Sequence, residues 1–307
     1  MNMNYLRKTV VLAVLCMFSV MALGGIAFSA DDPMSYKGKV SVGSQTVNES
    51  ITLAWMAKLL IDEYTSLDTR INTEFAASSV LHQAMVGGEL DVYPSWTGTQ
   101  LTGILRYEGP NLPKEETFKM VKDGFEKNFN FTWIDPFGFN NTYVMSVRRE
   151  TAEKYNLVNA ADLKDYAPKW TLAGDENFDT RPDAYPGWSE AYGIEFKEVL
   201  PMQYSMMYMA IDKDEVDVIC AYSTDSRIKK LDLVMLKDNL EYFPDYSAAY
   251  VVEMDTLKKY PALKDILGKL SGQIDEATMS AMNYRFDEGE EPEDIARDFL
   301  KSKGLLK

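Results

Sequence analysis

The sequence predicts an α/β protein of two lobes joined by two chain crossings, and three features carry that prediction. Strand-like and helix-like segments alternate from Lys39 onward, the pattern of a parallel sheet covered by helices. The alternation breaks at the turn-rich Asp135-Pro136-Phe137-Gly138-Phe139-Asn140-Asn141, and a second cycle follows. After the Pro-bearing turn Tyr242-Phe243-Pro244-Asp245-Tyr246, a strand over 248–252 returns the chain to the first lobe. Two α/β cycles with two crossings describe a hinged clamshell whose ligand sits in the cleft. The division expected is residues 31–141 plus 245–307 for one lobe and 142–244 for the other.

Taken in order, Lys39-Val40-Ser41-Val42-Gly43 reads as a first strand and Ser44 to Asn48 as a polar loop at its end. The broad apolar face of Ile51, Leu53, Ala54, Met56, Ala57, Leu59, Leu60 and Ile61 predicts a helix over 49–64. Residues 70–75 alternate as a second strand, and 78–86 form a helix stopped by Gly87-Gly88. A third strand over 90–93 ends at Pro94, which has no N–H for a ladder. Gly98 then permits a close backbone approach, and Thr97 or Thr99 would cap a helix beginning near Gln100. A helix over 114–127 and strands over 131–134 and 142–147 follow.

In the second cycle come a helix over 150–155, a strand over 170–173 and a polar segment from Gly174 to Gly187. A strand over 196–199, a Met-rich helix over 204–211 and an apolar strand over 217–222 complete it. The last third is helical, with candidates over 261–270, 274–284 and 292–301.

Residues 1–30 read as a secretory signal peptide: Arg7 and Lys8, an uncharged run from Thr9 to Ala30, and small residues at Ala27 and Ser29 that suit cleavage after Ser29. An uncleaved anchor would fit the same length. Leu15 before Cys16 argues against a lipid-modified cysteine. A periplasmic, monomeric protein is expected. Removing the signal leaves 30 Lys and Arg against 47 Asp and Glu, a net charge of −17. Such a surface repels nucleic acid, whose capture needs basic patches. Cys220 would then be the one cysteine left, in the apolar run Val216 to Tyr222, so no internal disulfide can form.

Catalytic chemistry has little material. His82 is the only histidine and reads as a surface helix residue, so Ser-His and Cys-His nucleophile pairs are lacking. No glycine spacing matches a phosphate loop, and the acidic runs Asp287-Glu288-Gly289-Glu290-Glu291 and Glu293-Asp294 lack calcium-loop spacing. No cofactor or metal is expected. What stands out is aromatic side chains at strand ends and crossings: Trp96, Tyr143, Tyr222 and Tyr246. In a two-lobed α/β fold those positions line the cleft. Electron-rich ring faces around one point attract a cation, above all a quaternary ammonium.

Several stretches carry a family likeness: Val42-Gly43-Ser44, Gly88-Glu89-Leu90-Asp91-Val92-Tyr93 with Thr97-Gly98-Thr99, and Gly138-Phe139-Asn140-Asn141-Thr142-Tyr143. Phe178-Asp179-Thr180-Arg181-Pro182-Asp183, Ala221-Tyr222-Ser223-Thr224-Asp225-Ser226-Arg227 and Phe243-Pro244-Asp245-Tyr246 extend it over nearly the whole chain after the signal. In these stretches the sequence resembles the periplasmic glycine betaine/choline-binding proteins of ABC importers. The resemblance implies a type II binding-protein fold, a membrane permease as partner, and an aromatic box of Trp96, Tyr143, Tyr222 and Tyr246 around a trimethylammonium group. It places Thr99 and Arg181 at the carboxylate end of a betaine. Three departures stand out: Trp96 where relatives carry Tyr, Asp183-Ala184 where they carry Asp-Gly, and Gln45 where they often carry Lys. Gln45 removes a positive charge from the carboxylate end, so choline and carnitine stay open beside glycine betaine. A primary ammonium, as in a basic amino acid, would want a carboxylate such as Asp225. An enzyme acting on such amines is the further alternative.

Overall fold

The computed structural model describes residues 32–175, 178, 179 and 184–307. The strands are β1 (Lys39–Gln45), β2 (Asp68–Phe75), β3 (Val92–Trp96), β4 (Phe131–Trp133), β5 (Tyr143–Arg148), β6 (Thr171–Gly174), β7 (Glu198–Pro201), β8 (Val218–Tyr222), β9 (Leu233–Met235) and β10 (Ala248–Glu253). They form two five-stranded sheets, ordered β2-β1-β3-β10-β4 and β7-β6-β8-β5-β9. The expected two-lobed α/β architecture is thus the observed one. Each sheet mixes directions in the same way. β1 pairs in parallel with β2 and β3 while β10 runs antiparallel to β3 and β4. β6 pairs in parallel with β7 and β8 while β5 runs antiparallel to β8 and β9. The antiparallel strands are those that follow a crossing.

The helices of the first sheet's lobe are α1 (Asn48–Tyr64), α2 (Ser78–Val86), α3 (Thr97–Gly103) and α4 (Lys114–Phe129). α1 buries Leu53, Ala54, Met56, Ala57, Leu60 and Ile61 completely, and the Tyr250 hydroxyl of β10 donates to the Leu53 carbonyl at 2.6 Å. Truncating one of these larger side chains to Ala would cost roughly 2–5 kcal/mol. The second lobe carries α5 (Arg149–Tyr155), α6 (Tyr185–Tyr192), α7 (Tyr204–Asp212) and α8 (Ser226–Lys230). After β10 come α9 (Met254–Lys259), α10 (Ala262–Gly268), α11 (Glu276–Asp287) and α12 (Pro292–Ser302), of which α10, α11 and α12 pack back on α1. None of the helices among the described residues is long and apolar enough to cross a membrane.

Four details differ from the sequence reading. β3 runs through Pro94 to Trp96 instead of stopping at Tyr93. Thr97 N–H donates to Ser247 O, so strand alternation turns the N–H groups of Tyr93 and Ser95 toward β10 and the Pro94 nitrogen toward the β1 side. There the β1 pairing has already ended at Val92, and the missing donor breaks no bond. α3 consequently starts at Thr97, and neither threonine caps it; the Thr97 hydroxyl bonds Asp245 instead. His82 is buried, not on the surface: it lies among Phe125, Phe129 and Phe131, with Nδ1 3.2 Å from the Tyr93 hydroxyl, and burial pushes its pKa down. Finally, the segment over 174–187 read as polar gives way at Tyr185 to α6, which has Pro186 in its first turn and, past that segment, buries Trp188 and Tyr192.

The two crossings lie side by side. Asn140 bridges Ser247, the Asn140 side-chain oxygen accepts from Tyr246 N–H at 2.8 Å, and Asn141 N–H donates to the Tyr246 carbonyl. Tyr143 and Tyr246 are therefore held at the same level of the cleft from opposite strands of the hinge.

Candidate functional site

Between the sheets lies a cavity of about 560 Å³. β3 delivers Trp96 at its last residue, β5 delivers Tyr143 at its first, β8 delivers Tyr222 at its last, and the second crossing delivers Tyr246. The ring centroids of Tyr143 and Tyr222, directly paired across β5 and β8, are 5.0 Å apart; Tyr246 stands edge-on to Tyr143 at 6.0 Å and 88°. Gly98 makes room for this arrangement: a Cβ there would lie 2.7 Å from two Tyr246 ring carbons and 2.9 Å from the Asp245 carbonyl. The close approach expected at Gly98 is to one wall of the cavity itself.

Gln45 and Thr99 also line the cavity. Gln45 pairs with Phe75 across β1 and β2, which sets it beside Ala76, Ala77 and Ser78 at the start of α2. Of the seven side chains expected at a ligand, six share this wall. The seventh, Arg181, lies outside the described residues, as do the signal peptide and the Asp183 of the Asp-Ala departure.

Glu49, Asp175 and Tyr204 of the wall were not foreseen. Glu49, in the first turn of α1, is buried; it accepts from Trp96 Nε1 at 3.1 Å, Asn141 Nδ2 at 3.0 Å, Thr224 Oγ1 at 2.7 Å and Asn283 Nδ2 at 3.1 Å. Desolvation raises its pKa against those hydrogen bonds. Asp175 accepts from the Tyr222 hydroxyl at 2.7 Å, and burial holds that phenol well above its ordinary pKa. Tyr204 packs its ring 5.3 Å from Tyr222 and donates to Asp225. Asp225 is itself tied to Arg227 at 2.6 Å, and the guanidinium stacks over Tyr204 and Tyr208 at 4.4 and 4.2 Å. Its charge is therefore compensated within the protein, which removes it as the free carboxylate a primary ammonium would need. The one sequence signal for Glu49 is an acid immediately after the polar loop that ends β1; Tyr204 and Asn283 had none.

Contacts across the cleft join the lobes. Besides Thr224 to Glu49, Asn283 Nδ2 donates to the Thr224 carbonyl at 3.1 Å, Ser226 Oγ donates to Asp287 at 2.9 Å, and Lys230 pairs with Glu288 at 2.7 Å. Loop and helix α8 of one lobe thus meet α1 and α11 of the other.

Two lobes closed on an aromatic-walled cavity define a ligand-binding clamshell of the type II periplasmic binding protein class. The chain belongs to the family of substrate binding domains of ABC-type glycine betaine transport systems, which matches residues 38–302. It is 37% identical over 300 residues to the carnitine transport binding protein OpuCC of Listeria monocytogenes, covering 95% of this chain and 97% of that one. It is 30% identical over 265 residues to the ergothioneine transport permease/ergothioneine binding protein EgtU of Helicobacter pylori, covering 86% of this chain and 47% of that longer one. A crystal structure of a glycine betaine/carnitine/choline ABC transporter superposes with a TM-score of 0.78 at 34% identity, covering 87% of this chain and all of the other. Members of the family bind small ligands for delivery to a permease.

Proposed function

We propose that the chain is an exported receptor that closes two lobes, residues 31–141 with 245–307 and residues 142–244, on a quaternary ammonium compound, glycine betaine first, and hands it to an ABC permease as a monomer. The observation behind this reading is the convergence of Trp96, Tyr143, Tyr222 and Tyr246 on one cavity whose described wall holds no Lys, Arg or His. Each ring face contributes about 0.5–2 kcal/mol toward a desolvated cation. Four together supply about 2–8 kcal/mol, whose upper end matches the ~8 kcal/mol of micromolar binding. The carboxylate of a betaine would meet Gln45, the first turn of α2 and Thr99, with Arg181 as a two-pronged partner. Replacing Trp96 with Ala is expected to weaken binding at least about tenfold, and unchanged affinity would remove Trp96 from the box. Replacing Arg181 with Ala is expected to harm a betaine far more than choline; equal losses would make Arg181 a closure or folding residue.

One observation favours choline as a second reading. Glu49 and Asp175 line the cavity without a paired cation among the described residues, and Gln45 stands where a Lys would have balanced them. Calorimetric titration of the refolded, ligand-stripped protein with glycine betaine, carnitine and choline decides among them. Tight betaine with weak choline supports the first reading, the reverse order supports the second, and no heat with any of the three removes both. Catalysis is not part of the proposal. His82 and Cys220 are buried away from the cavity, so the ligand is expected to be recovered chemically unchanged after prolonged incubation.

A further inference from the structure

The cavity wall carries a charge that the aromatic rings do not explain. Glu49 is 3% exposed, and all four groups that bond its carboxylate are neutral: an indole N–H, two amides and a hydroxyl. Among the described residues no Lys, Arg or His pairs with it. A buried carboxylate without a counter-cation is unfavourable unless something else supplies the charge. Three of the surrounding groups, the indole and two amide N–H donors, nevertheless favour the ionised form because none of them can accept a carboxyl proton, and the Thr224 hydroxyl can turn to donate. Among the described residues a carboxylate is thus left without a counter-cation at the edge of a cage of aromatic rings.

We infer that Glu49 is the counter-charge of the bound cation, the residue that makes the site select positive charge over mere trimethyl shape. The inference rests on the quaternary ammonium reading and adds to it a residue outside the four rings. Glu49 acts by two routes. It faces the same desolvated cavity, where a Coulomb attraction is far stronger than in water. It also accepts the Trp96 N–H at 3.1 Å, and a hydrogen bond from the ring edge to an anion pushes electron density onto the ring face that meets the ligand. Thr224, from the other lobe, donates to the second carboxylate oxygen, so closure fixes the charge in place.

Choline and 3,3-dimethylbutan-1-ol test this directly, since they share shape and hydroxyl and differ by a quaternary nitrogen in place of a carbon. Dissociation constants for both are measured on wild type, Glu49→Gln and Glu49→Asp. The ratio favouring choline is expected to fall about tenfold or more in the Gln variant and to be largely kept in the Asp variant. A Gln variant that weakens both ligands alike, leaving the ratio unmoved, makes Glu49 a structural residue and overturns the inference. If the Gln variant does not fold, Trp96→Phe reads the same link from the ring side, keeping an aromatic face while losing the N–H donor together with the larger indole ring. There the ratio is expected to fall about threefold, and an unchanged ratio overturns the assignment. Wild type that binds none of choline, carnitine and glycine betaine overturns the receptor reading and this inference together; wild type that binds choline while Glu49→Gln keeps its ratio overturns only this one.

Discussion

Glu49 and Asp225 are two buried carboxylates on the wall of one cavity, and their surroundings give them opposite roles. Asp225 is held by Arg227, caps α8 by accepting Arg227 N–H, and receives the Tyr204 hydroxyl. Among the described residues Glu49 is held by neutral donors alone. The first pair is closed on itself and serves the fold. The second leaves a negative charge for whatever enters the cleft. A carboxylate in a binding cavity is therefore read by its partner set, because equal burial of the two acids says nothing about which charge is available.

The largest test breaks the Asp225 side. Asp225→Asn strands the Arg227 guanidinium between two tyrosine rings, and removing one partner of a buried pair typically costs 3–5 kcal/mol. Arg227 is still 20% exposed, which places the expected loss near the lower end, about 3 kcal/mol. A fall in melting temperature of roughly 6–12 °C would report it. The choline-to-isostere ratio should stay near the wild-type value. A variant that melts normally and loses its charge preference would reverse the roles given to the two acids.

The contrast between these acids also marks what could be read from the chain. Asp225 sits two residues from its cation, in the run Thr224-Asp225-Ser226-Arg227, so the pair is local in sequence, although the sequence reading offered Asp225 as a free carboxylate. The donors to Glu49 lie 47, 92, 175 and 234 residues away, and no local pattern announces them. The same distinction holds for the fold. Helix α2 spans the expected residues 78–86, because apolar periodicity and the Gly87-Gly88 stop act locally. His82 at its centre was misplaced, since its burial depends on phenylalanines from α4 and β4. β3 outran Pro94 because the cost of a missing N–H depends on which neighbour faces it. The aromatic residues at strand ends were legible because topology alone carries strand ends to the cleft, and six of the seven expected side chains meet there.

A smaller perturbation sharpens the Glu49 side. Thr224→Val removes the 2.7 Å hydroxyl bond that crosses from the second lobe to the carboxylate while keeping the side-chain volume. A hydrogen bond to a charged group contributes about 1.5 kcal/mol or slightly more. Since this bond spans the cleft, its loss should fall on the closed, liganded form, as an affinity about tenfold weaker with little change in ligand-free melting. Melting that drops while affinity holds would show that Thr224 supports its own lobe instead.

The smallest expected effect needs no substitution of the wall beyond a control, and its sign separates the two acids once more. Desolvation raises the Glu49 pKa while four hydrogen bonds lower it, so the net upward shift is a residue of opposing contributions. A folded-state pKa above the unfolded value means that the native protein binds a proton the unfolded chain lacks between the two values. As pH falls through that window, which opens above the ordinary carboxylate value of 4.5, the burial penalty is relieved and Glu49 favours the folded state; at higher pH the penalty is felt in full. Cation binding should move the other way, weakening as the charge is neutralised. Asp175 and Asp225 share the cavity wall with Glu49, so the quantity to follow is the difference between wild type and Glu49→Gln at each pH. On acidification that difference should rise in ligand-free melting temperature and fall in choline affinity. Two curves moving together would mean that the carboxylate serves the fold and not the cation.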